Sequence, residues 1–185
     1  MTPGRHRVWD GAAFVEVAVP VSGPDGVVVP VIRVVVTDRS GGSVVLQRRD
    51  GAGESVRGLL EIPGGRWRAG ESPTETAIRE VREETGLDLV SVDGVTVEEL
   101  DAHRVMATIR PLAVVAGAAA AFPAAHLVLT GIGEGSIRPE AGATTDVRWW
   151  PLPDLRCAVS EHREWFVPSS HAALVAYLDR LDSTA

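Results

Sequence analysis

Apolar runs broken by turn-forming residues dominate the first third of the chain. Phe14 to Val21 (FVEVAVPV) and Val27 to Val36 (VVVPVIRVVV) read as strands separated by Ser22-Gly23-Pro24-Asp25-Gly26, with Pro20 and Pro30 pushing them toward sheet edges. Val44-Val45-Leu46-Gln47-Arg48, after Gly41-Gly42, is a further short strand, and residues 51–57 form a polar loop. Leu59-Leu60-Glu61-Ile62 is a brief strand ended by Pro63-Gly64-Gly65. A strongly signalled helix follows, from Pro73 to Thr85. Beyond it lie strand-like segments near 94–100, 104–116, 125–132 and 146–150, and a closing helix over 170–181. Strands outnumber helices and no repeat or linker divides the chain, so the expectation is one domain over 1–185, a mixed sheet covered by helices, α/β or α+β. Residues 1–30 read as an N-terminal elaboration that serves dimerisation, giving a homodimer, or covers a sheet edge.

Composition narrows the class. Of 185 residues 45% are hydrophobic and 23% charged, with 19 Gly and 12 Pro, which suits a soluble globular chain with a full core. The net charge of −7 argues against wrapping duplex nucleic acid, which needs clustered cations to displace phosphate counterions. All 18 basic residues are Arg, a skew that reads as GC-rich coding beside the abundant Ala, Gly and Val. A small phosphorylated substrate stays open if a metal supplies positive charge. Cys157, the only cysteine, cannot form an internal disulfide and suits a reducing, cytoplasmic compartment, as a packing or surface thiol rather than a nucleophile. The start, MTPGRHRVWDG, lacks the apolar stretch of a signal peptide. Pro111 to Ile132 carries no charge besides that of His126 and is long enough to cross a bilayer, but Gly117, Pro123 and Gly131 interrupt it. Two buried strands joined by a turn around Phe122-Pro123 are expected there, and no membrane span.

The chemistry concentrates in residues 64–87, GGRWRAGESPTETAIREVREETGL. Ser72 is a good N-cap, Pro73 fits the first helical position, Glu75 completes a Ser-x-x-Glu capping box, and Gly86 supplies the left-handed end. At about 100° per residue from Ala77, Val81, Thr85 and Ile78 fall at about 40°, 80° and 100° and form a core-facing stripe. Glu83, Glu80 and Glu84 fall near 240°, 300° and 340°, so three carboxylates share one face bordering that stripe. Glu75 to Arg79 and Arg79 to Glu83 are ordinary i,i+4 pairs. Glu80 and Glu84 have no basic residue three or four positions away, so something outside the helix should neutralise them. A hard divalent cation does so directly, with a backbone carbonyl near Gly64 able to add a ligand. Arg66 and Arg68, either side of Trp67 in the same loop, and Arg48 at the end of its strand are candidate contacts for substrate phosphate.

The pattern Gly65-x5-Glu71-x7-Arg79-Glu80-Val81-x-Glu83-Glu84-x-Gly86-Leu87 resembles the Nudix box, G-x5-E-x7-R-E-U-x-E-E-x-G-U with U aliphatic, at all nine specified positions. It covers 23 of 185 residues, and LLEIPGG before it and Val147-Arg148-Trp149-Trp150-Pro151-Leu152 after it look like flanking elements of the same family. The resemblance implies an α/β/α sandwich with a mixed sheet and a hydrolase that uses water and Mg²⁺ or Mn²⁺ to cleave a nucleoside diphosphate linked to another moiety. It implies Glu80, Glu83 and Glu84 as metal ligands, with the carbonyl of Gly64 a further candidate, Arg79 orienting Glu80, and Glu71 bracing Arg79. The general base is Glu80 in some members and a loop acid in others. Glu134, Glu140 and Asp146 fall where such a loop would lie, and Glu80 is favoured.

Nothing selects the nucleoside. The downstream Pro of ADP-ribose hydrolases is absent, since Ala102 stands at that distance and the next Pro is Pro111. The only Tyr is Tyr177, and no coenzyme A signature lies between Gln47 and Ile62. His6, His103, His126, His162 and His171 lack metal-like spacing and read as surface or satisfied core, while Trp149 and Trp150 read as packing. Two other classes compete: a nucleotide-sensing domain without turnover, disfavoured by the full carboxylate set, and an isoprenoid diphosphate isomerase, which would need Cys157 near the pocket.

Overall fold

Residues 29–37 bury apolar side chains on both faces, since Ile32, Val34 and Val36 join one core cluster and Val35 joins another. A segment of that kind must lie inside a sheet covered on both sides. The computed structural model describes residues 4–9, 14–19, 29–50, 56–68, 70–101, 104–119, 122–139 and 144–184. Their strands are β1 (Gly4–Trp9), β2 (Phe14–Val19), β3 (Val29–Thr37), β4 (Ser43–Arg49), β5 (Leu60–Glu61), β6 (Gly64–Arg66), β7 (Asp88–Asp93), β8 (Val95–Asp101), β9 (Arg104–Ile109), β10 (Ala113–Ala119), β11 (Phe122–Glu134) and β12 (Thr144–Pro151). The helices are α1 (Pro73–Thr85), α2 (Leu152–Glu161) and α3 (Pro168–Thr184), with one 3-10 turn at Arg163–Trp165.

The main sheet runs β10-β11-β3-β4-β12, with β7 on β11, β6 on β3 and β5 on β4. Among the described strands β11 and β3 pair in parallel and the other strand pairs are antiparallel, so the sheet is mixed. One face packs Ile32, Val34, Val45 and Leu129 against Ala77 and Val81 of α1. The other packs Val35, Val44, Leu46 and Val128 against Leu155 of α2 and Leu174 and Leu178 of α3. The arrangement is an α/β/α sandwich, and Cys157, on α2, is carried by the layer opposite α1.

One detail positions the site. β3 and β4 are joined at a single pair, Thr37 with Val44, and then splay apart. The segment 60–66 fills the split, pairing first with β4 through Leu60 and Glu61, then with β3 through Gly64, Gly65 and Arg66. Pro63 stands at the crossover, and its carbonyl accepts a hydrogen bond from the Val34 amide. Gly64, at φ 144°, must be glycine, because a Cβ there would lie 2.2 Å from the Ile32 carbonyl oxygen.

Several boundaries differ from the sequence expectation. Pro30 does not put its strand at an edge: β3 is interior, and Pro30 is tolerated as its second, exposed residue. The run 104–116 breaks at Arg110-Pro111-Leu112 into β9 and β10, and β8 and β9 form a separate two-stranded sheet. Pro111 explains the break, since it can donate no ladder hydrogen bond. Phe122 and Pro123 do not form the turn but already pair with Ala119 and Ala118 inside β11. β7 and α2 were not expected. The opening of α2 nevertheless carries a start signal, with a Pro in its first turn and Asp154 beside the positive end of the helix dipole. Within 1–30, β1 and β2 pair as an antiparallel hairpin, a two-stranded sheet of their own. Of the expected strand ends, residues 20–21 and 27–28 lie outside the described residues.

Candidate functional site

Helix α1 is set by its caps. The Ser72 hydroxyl accepts from the Glu75 amide while the Glu75 carboxylate accepts from the Ser72 amide, and Gly86 closes the helix at φ 76°, ψ 3°. A Cβ on Gly86 would lie 2.5 Å from the Arg138 carbonyl oxygen, so the close passage of the following loop also demands glycine. Ala77, Val81 and Thr85 are buried as the wheel predicts, with Ile78 partly buried against the same core. The adjoining face, bearing Glu80, Glu83 and Glu84, is turned toward the Gly64-Gly65 segment in the sheet split.

The first half of that face is organised by Arg79. Its Nε and Nη2 donate to the two oxygens of Glu71 at 2.7 and 2.9 Å, and its Nη1 donates to Glu80 at 2.5 Å and Glu83 at 3.4 Å. Nη2 also donates to the Arg66 carbonyl, and Thr76 gives its hydroxyl hydrogen to Glu71. The Arg79 hydrogen bonds hold the Glu71 carboxyl down at about 2, and the same contacts push the guanidinium pKa above its usual value. Two expectations are corrected here. Glu75 pairs with the Ser72 amide rather than with Arg79. Glu80 is not partnerless within the helix, because Arg79, drawn across by Glu71, reaches it from the adjacent position. Gly65 makes room for it: a Cβ there would lie 2.3 to 2.5 Å from the Glu80 carboxylate.

Glu84 is held differently. Its Oε2 accepts from the Gly64 amide and from Gln47 Nε2, both at 2.8 Å, and among the described residues it has no ion-pair partner. Burial pushes its pKa up to about 7, the nearby Glu61 charge adds to the rise, and Arg33 and the two donors offset only part of it. Below it lies a polar cluster that the strand pattern concealed. Glu61, 1% exposed, pairs with Arg33 at 3.2 Å and Arg49 at 3.1 Å, and Gln47 stands directly across the ladder from it. Arg33, Gln47 and Glu61 were missed as site residues. Their signal was a charged or amide residue inside an otherwise apolar strand, where burial without a partner is costly.

The remaining candidates are placed as follows. Arg66 and Arg68 are exposed beside the site, and among the described residues their guanidinium groups have no partner, while Trp67 donates to the Glu71 carbonyl. Arg48 alternates to the other face of β4 from Gln47, donating to Asp146 and to the Gly58 carbonyl, and is not brought to the α1 carboxylates. Asp146, at φ 48° in a β12 bulge, is taken by Arg48 and approached by Arg148, and Glu134 is taken by Arg39. Glu140 lies outside the described residues, as does His103. His126 is core but not satisfied among the described residues: it is buried, neither ring nitrogen has a partner there, and burial with the Arg33 charge lowers its pKa to about 4. His171 contacts the Val159 carbonyl, His162 stacks on Trp165, and Trp149 and Trp150 pack into the two cores.

Among the described residues no three His, Cys, Asp or Glu side chains are gathered as a ready cation cage. The donor set still fits a hard divalent ion. Three carboxylates supply oxygen on one helix face, and the half-buried Glu84 has no ion-pair partner among the described residues, with the Arg33 charge offsetting only part of its raised pKa.

With the geometry established, comparison with known proteins adds three findings. The family model of the NUDIX domain matches residues 28–169. No curated protein sequence matches significantly. The fold is shared with the MutT protein from Methanosarcina mazei Go1 (TM-score 0.61, 17% identity, 83% of this chain and 94% of that one). It is shared too with the NUDIX domain of Shewanella oneidensis NrtR, solved in complex with ADP ribose (TM-score 0.60, 18% identity, 86% and 94%), and with the E. coli ORF135 protein (TM-score 0.57, 18% identity, 82% and 89%).

Proposed function

Because the chain belongs to the NUDIX family, we propose that it is a Mg²⁺- or Mn²⁺-dependent pyrophosphohydrolase acting on a nucleoside diphosphate linked to another moiety. The observation that carries the proposal is the half-buried Glu84 carboxylate, set one turn beyond Glu80 and beside Glu83, which accepts from two amide donors and has no ion-pair partner among the described residues. Glu80, Glu83 and Glu84 would hold the ion, with the Gly64 carbonyl as a further candidate. When bound, the ion supplies screening of diphosphate charge and lowers the pKa of water.

The residues of the chain do the rest. Arg79, locked onto Glu71 by two hydrogen bonds, orients Glu80 and Glu83. Arg66 and Arg68, exposed and free of partners among the described residues, meet the phosphate oxygens. Glu80 accepts the proton of the attacking water, because it stands on the same face of α1 as Glu83 and Glu84, whereas Glu134 and Asp146 are held away from that face by Arg39 and Arg48. Cys157 sits on α2, in the layer opposite α1, which disfavours an isomerase that needs a thiol at the site. The neighbour bound to ADP ribose makes that compound a sensible first member of a substrate panel.

The test is such a panel, with ADP-ribose, nucleoside triphosphates, dinucleoside polyphosphates and coenzyme A, run with Mg²⁺, Mn²⁺ or chelator, and products identified by mass spectrometry. Metal-dependent release of a phosphate or nucleoside monophosphate that disappears in Glu84→Gln supports the reading. Tight nucleotide binding with no turnover under any metal overturns it in favour of a sensor.

A further inference from the structure

We infer that Gln47 is a positioning residue for Glu84, fixing one oxygen of that carboxylate so that the other is left for a divalent cation. The inference rests on the proposed role of Glu84. It goes beyond the motif, since Gln47 lies on β4, outside the stretch of chain that resembles the Nudix box.

Gln47 is fully buried, at 0% exposure. One end of its amide, Nε2, donates to Glu84 Oε2 at 2.8 Å, while the other, Oε1, is buried without a hydrogen-bond partner among the described residues. A side chain kept for stability would not be this one. An enclosed orphan carbonyl carries a desolvation cost that Leu or Met at the same place would avoid. Turning the amide over would not help, because Oε1 would then face the Glu84 carboxylate and repel it. The amide is therefore pinned in an orientation that suits Glu84 and leaves its own acceptor unsatisfied.

The division of labour between the two Glu84 oxygens supports the same conclusion. Oε2 receives two donors, Gln47 Nε2 and the Gly64 amide, whereas Oε1 accepts no hydrogen bond among the described residues. Two donors from different strands, β4 and β6, fix the carboxylate plane across the split in the sheet. Glu61, paired in register with Gln47 and held by Arg33 and Arg49, ties β3, β4 and β5 together at that part of the split. Groups that orient a metal ligand without touching the metal change affinity by about 10- to 100-fold when removed.

The experiment measures Mn²⁺ binding directly, by the loss of the free-ion electron paramagnetic resonance signal, in the full chain at pH 8 without substrate. Four proteins form a cycle: wild type, Gln47→Met, Glu84→Gln and the double variant. Gln47→Met keeps the bulk and removes the donor, and Gln47→Leu replaces it should the first variant fail to fold by circular dichroism. The expected result is about tenfold weaker Mn²⁺ binding in Gln47→Met, a larger loss in Glu84→Gln, and no further loss when the two are combined. Wild-type affinity in Gln47→Met, or a second tenfold loss on top of Glu84→Gln, overturns the positioning role. Unchanged Mn²⁺ affinity in Glu84→Gln overturns instead the underlying assignment of Glu84 as a ligand, so the two failures are distinguishable.

Discussion

Glu84→Gln should make the metal-free protein more stable at alkaline pH while removing its function. Burial raises the Glu84 pKa from its ordinary 4.5 to about 7, so the unfolded chain loses this proton more readily than the folded one. Below pH 4.5 both states are protonated and the group contributes no penalty. Between 4.5 and 7 the penalty grows, and above 7 it is complete. The gap between 4.5 and about 7, at about 1.4 kcal/mol for each factor of ten in proton affinity, sets an upper value of about 3 kcal/mol. For a chain of this size that corresponds to about 6–12 °C in melting temperature. A neutral amide, nearly the shape of the protonated acid, escapes the penalty at every pH.

The assay is thermal and urea unfolding of wild type and Glu84→Gln in chelator, at pH 5 and pH 8. The two should nearly coincide at pH 5 and separate by about 2–3 kcal/mol at pH 8, with the variant the more stable. Taking the difference between variants cancels the other titrating groups, so its pH dependence reports Glu84 alone. The same concentration of Mn²⁺ should then raise the wild-type melting temperature at pH 8 more than that of the variant, since an ion stabilises the native state in proportion to how tightly it binds there. A variant less stable than wild type at pH 8, or a gap that does not change with pH, refutes the account of Glu84 as a desolvated acid whose charge is only partly compensated.

Gly65→Ala should leave the fold intact but displace the Glu80 carboxylate, whose atoms lie 2.3 to 2.5 Å from the added methyl, lowering kcat by about tenfold or more with circular dichroism unchanged. Glu71→Gln should free Arg79 and lower kcat by about 10- to 100-fold. Because the Glu71 pKa is depressed to about 2, its pairing is whole above pH 4.5 and fails only as pH falls toward 2, so the wild-type rate profile should show no step from it between pH 5 and 9. Glu61→Gln breaks a buried pair with Arg33 and Arg49 and should cost about 3–5 kcal/mol in urea unfolding. It should also move the Glu84 titration toward 4.5, because the Glu61 charge is one cause of its rise. Cys157→Ser should hydrolyse the same substrate at the wild-type rate, since the thiol is exposed on α2 in the layer opposite α1.

How much of this could be read from sequence depends on the range of each interaction. Helix α1 was legible to the residue because its signals are local: a cap at Ser72, a box with Glu75 and a left-handed Gly86. The layered sheet was legible as a class, since apolar runs with few helices have few ways to bury themselves. Its order was not, because nothing local says that β11 pairs in parallel with β3 or that the segment 60–66 crosses from one strand to another. The breaks at Pro111 and before Leu152 did carry local signals, a proline in each case. Arg48 reads well as a phosphate contact by position in the chain, yet the alternation of β4 turns it to the face away from Gln47, where Asp146 takes it.

The carboxylate face of α1 divides along the same line. Counting neighbours at three and four positions left both Glu80 and Glu84 without a cation, and for Glu80 that count was incomplete. A guanidinium anchored by two hydrogen bonds to Glu71, eight positions away, is pulled out of its usual track and delivers Nη1 to the adjacent glutamate. Among the described residues no arginine is hydrogen-bonded to Glu84, whose neutral donors, Gln47 and the Gly64 amide, orient its charge while the Arg33 charge offsets only part of it. A divalent ion is therefore needed most at Glu84. At Glu80 and Glu83 it must compete with Arg79, which keeps both bonds to Glu71 even if it yields those two carboxylates. The helix thus carries one acid built to wait for a cation and two that can be exchanged to it, and the residues that set this difference, Gln47 on β4 and Glu71 just before the Ser72 cap, both precede α1 in the chain.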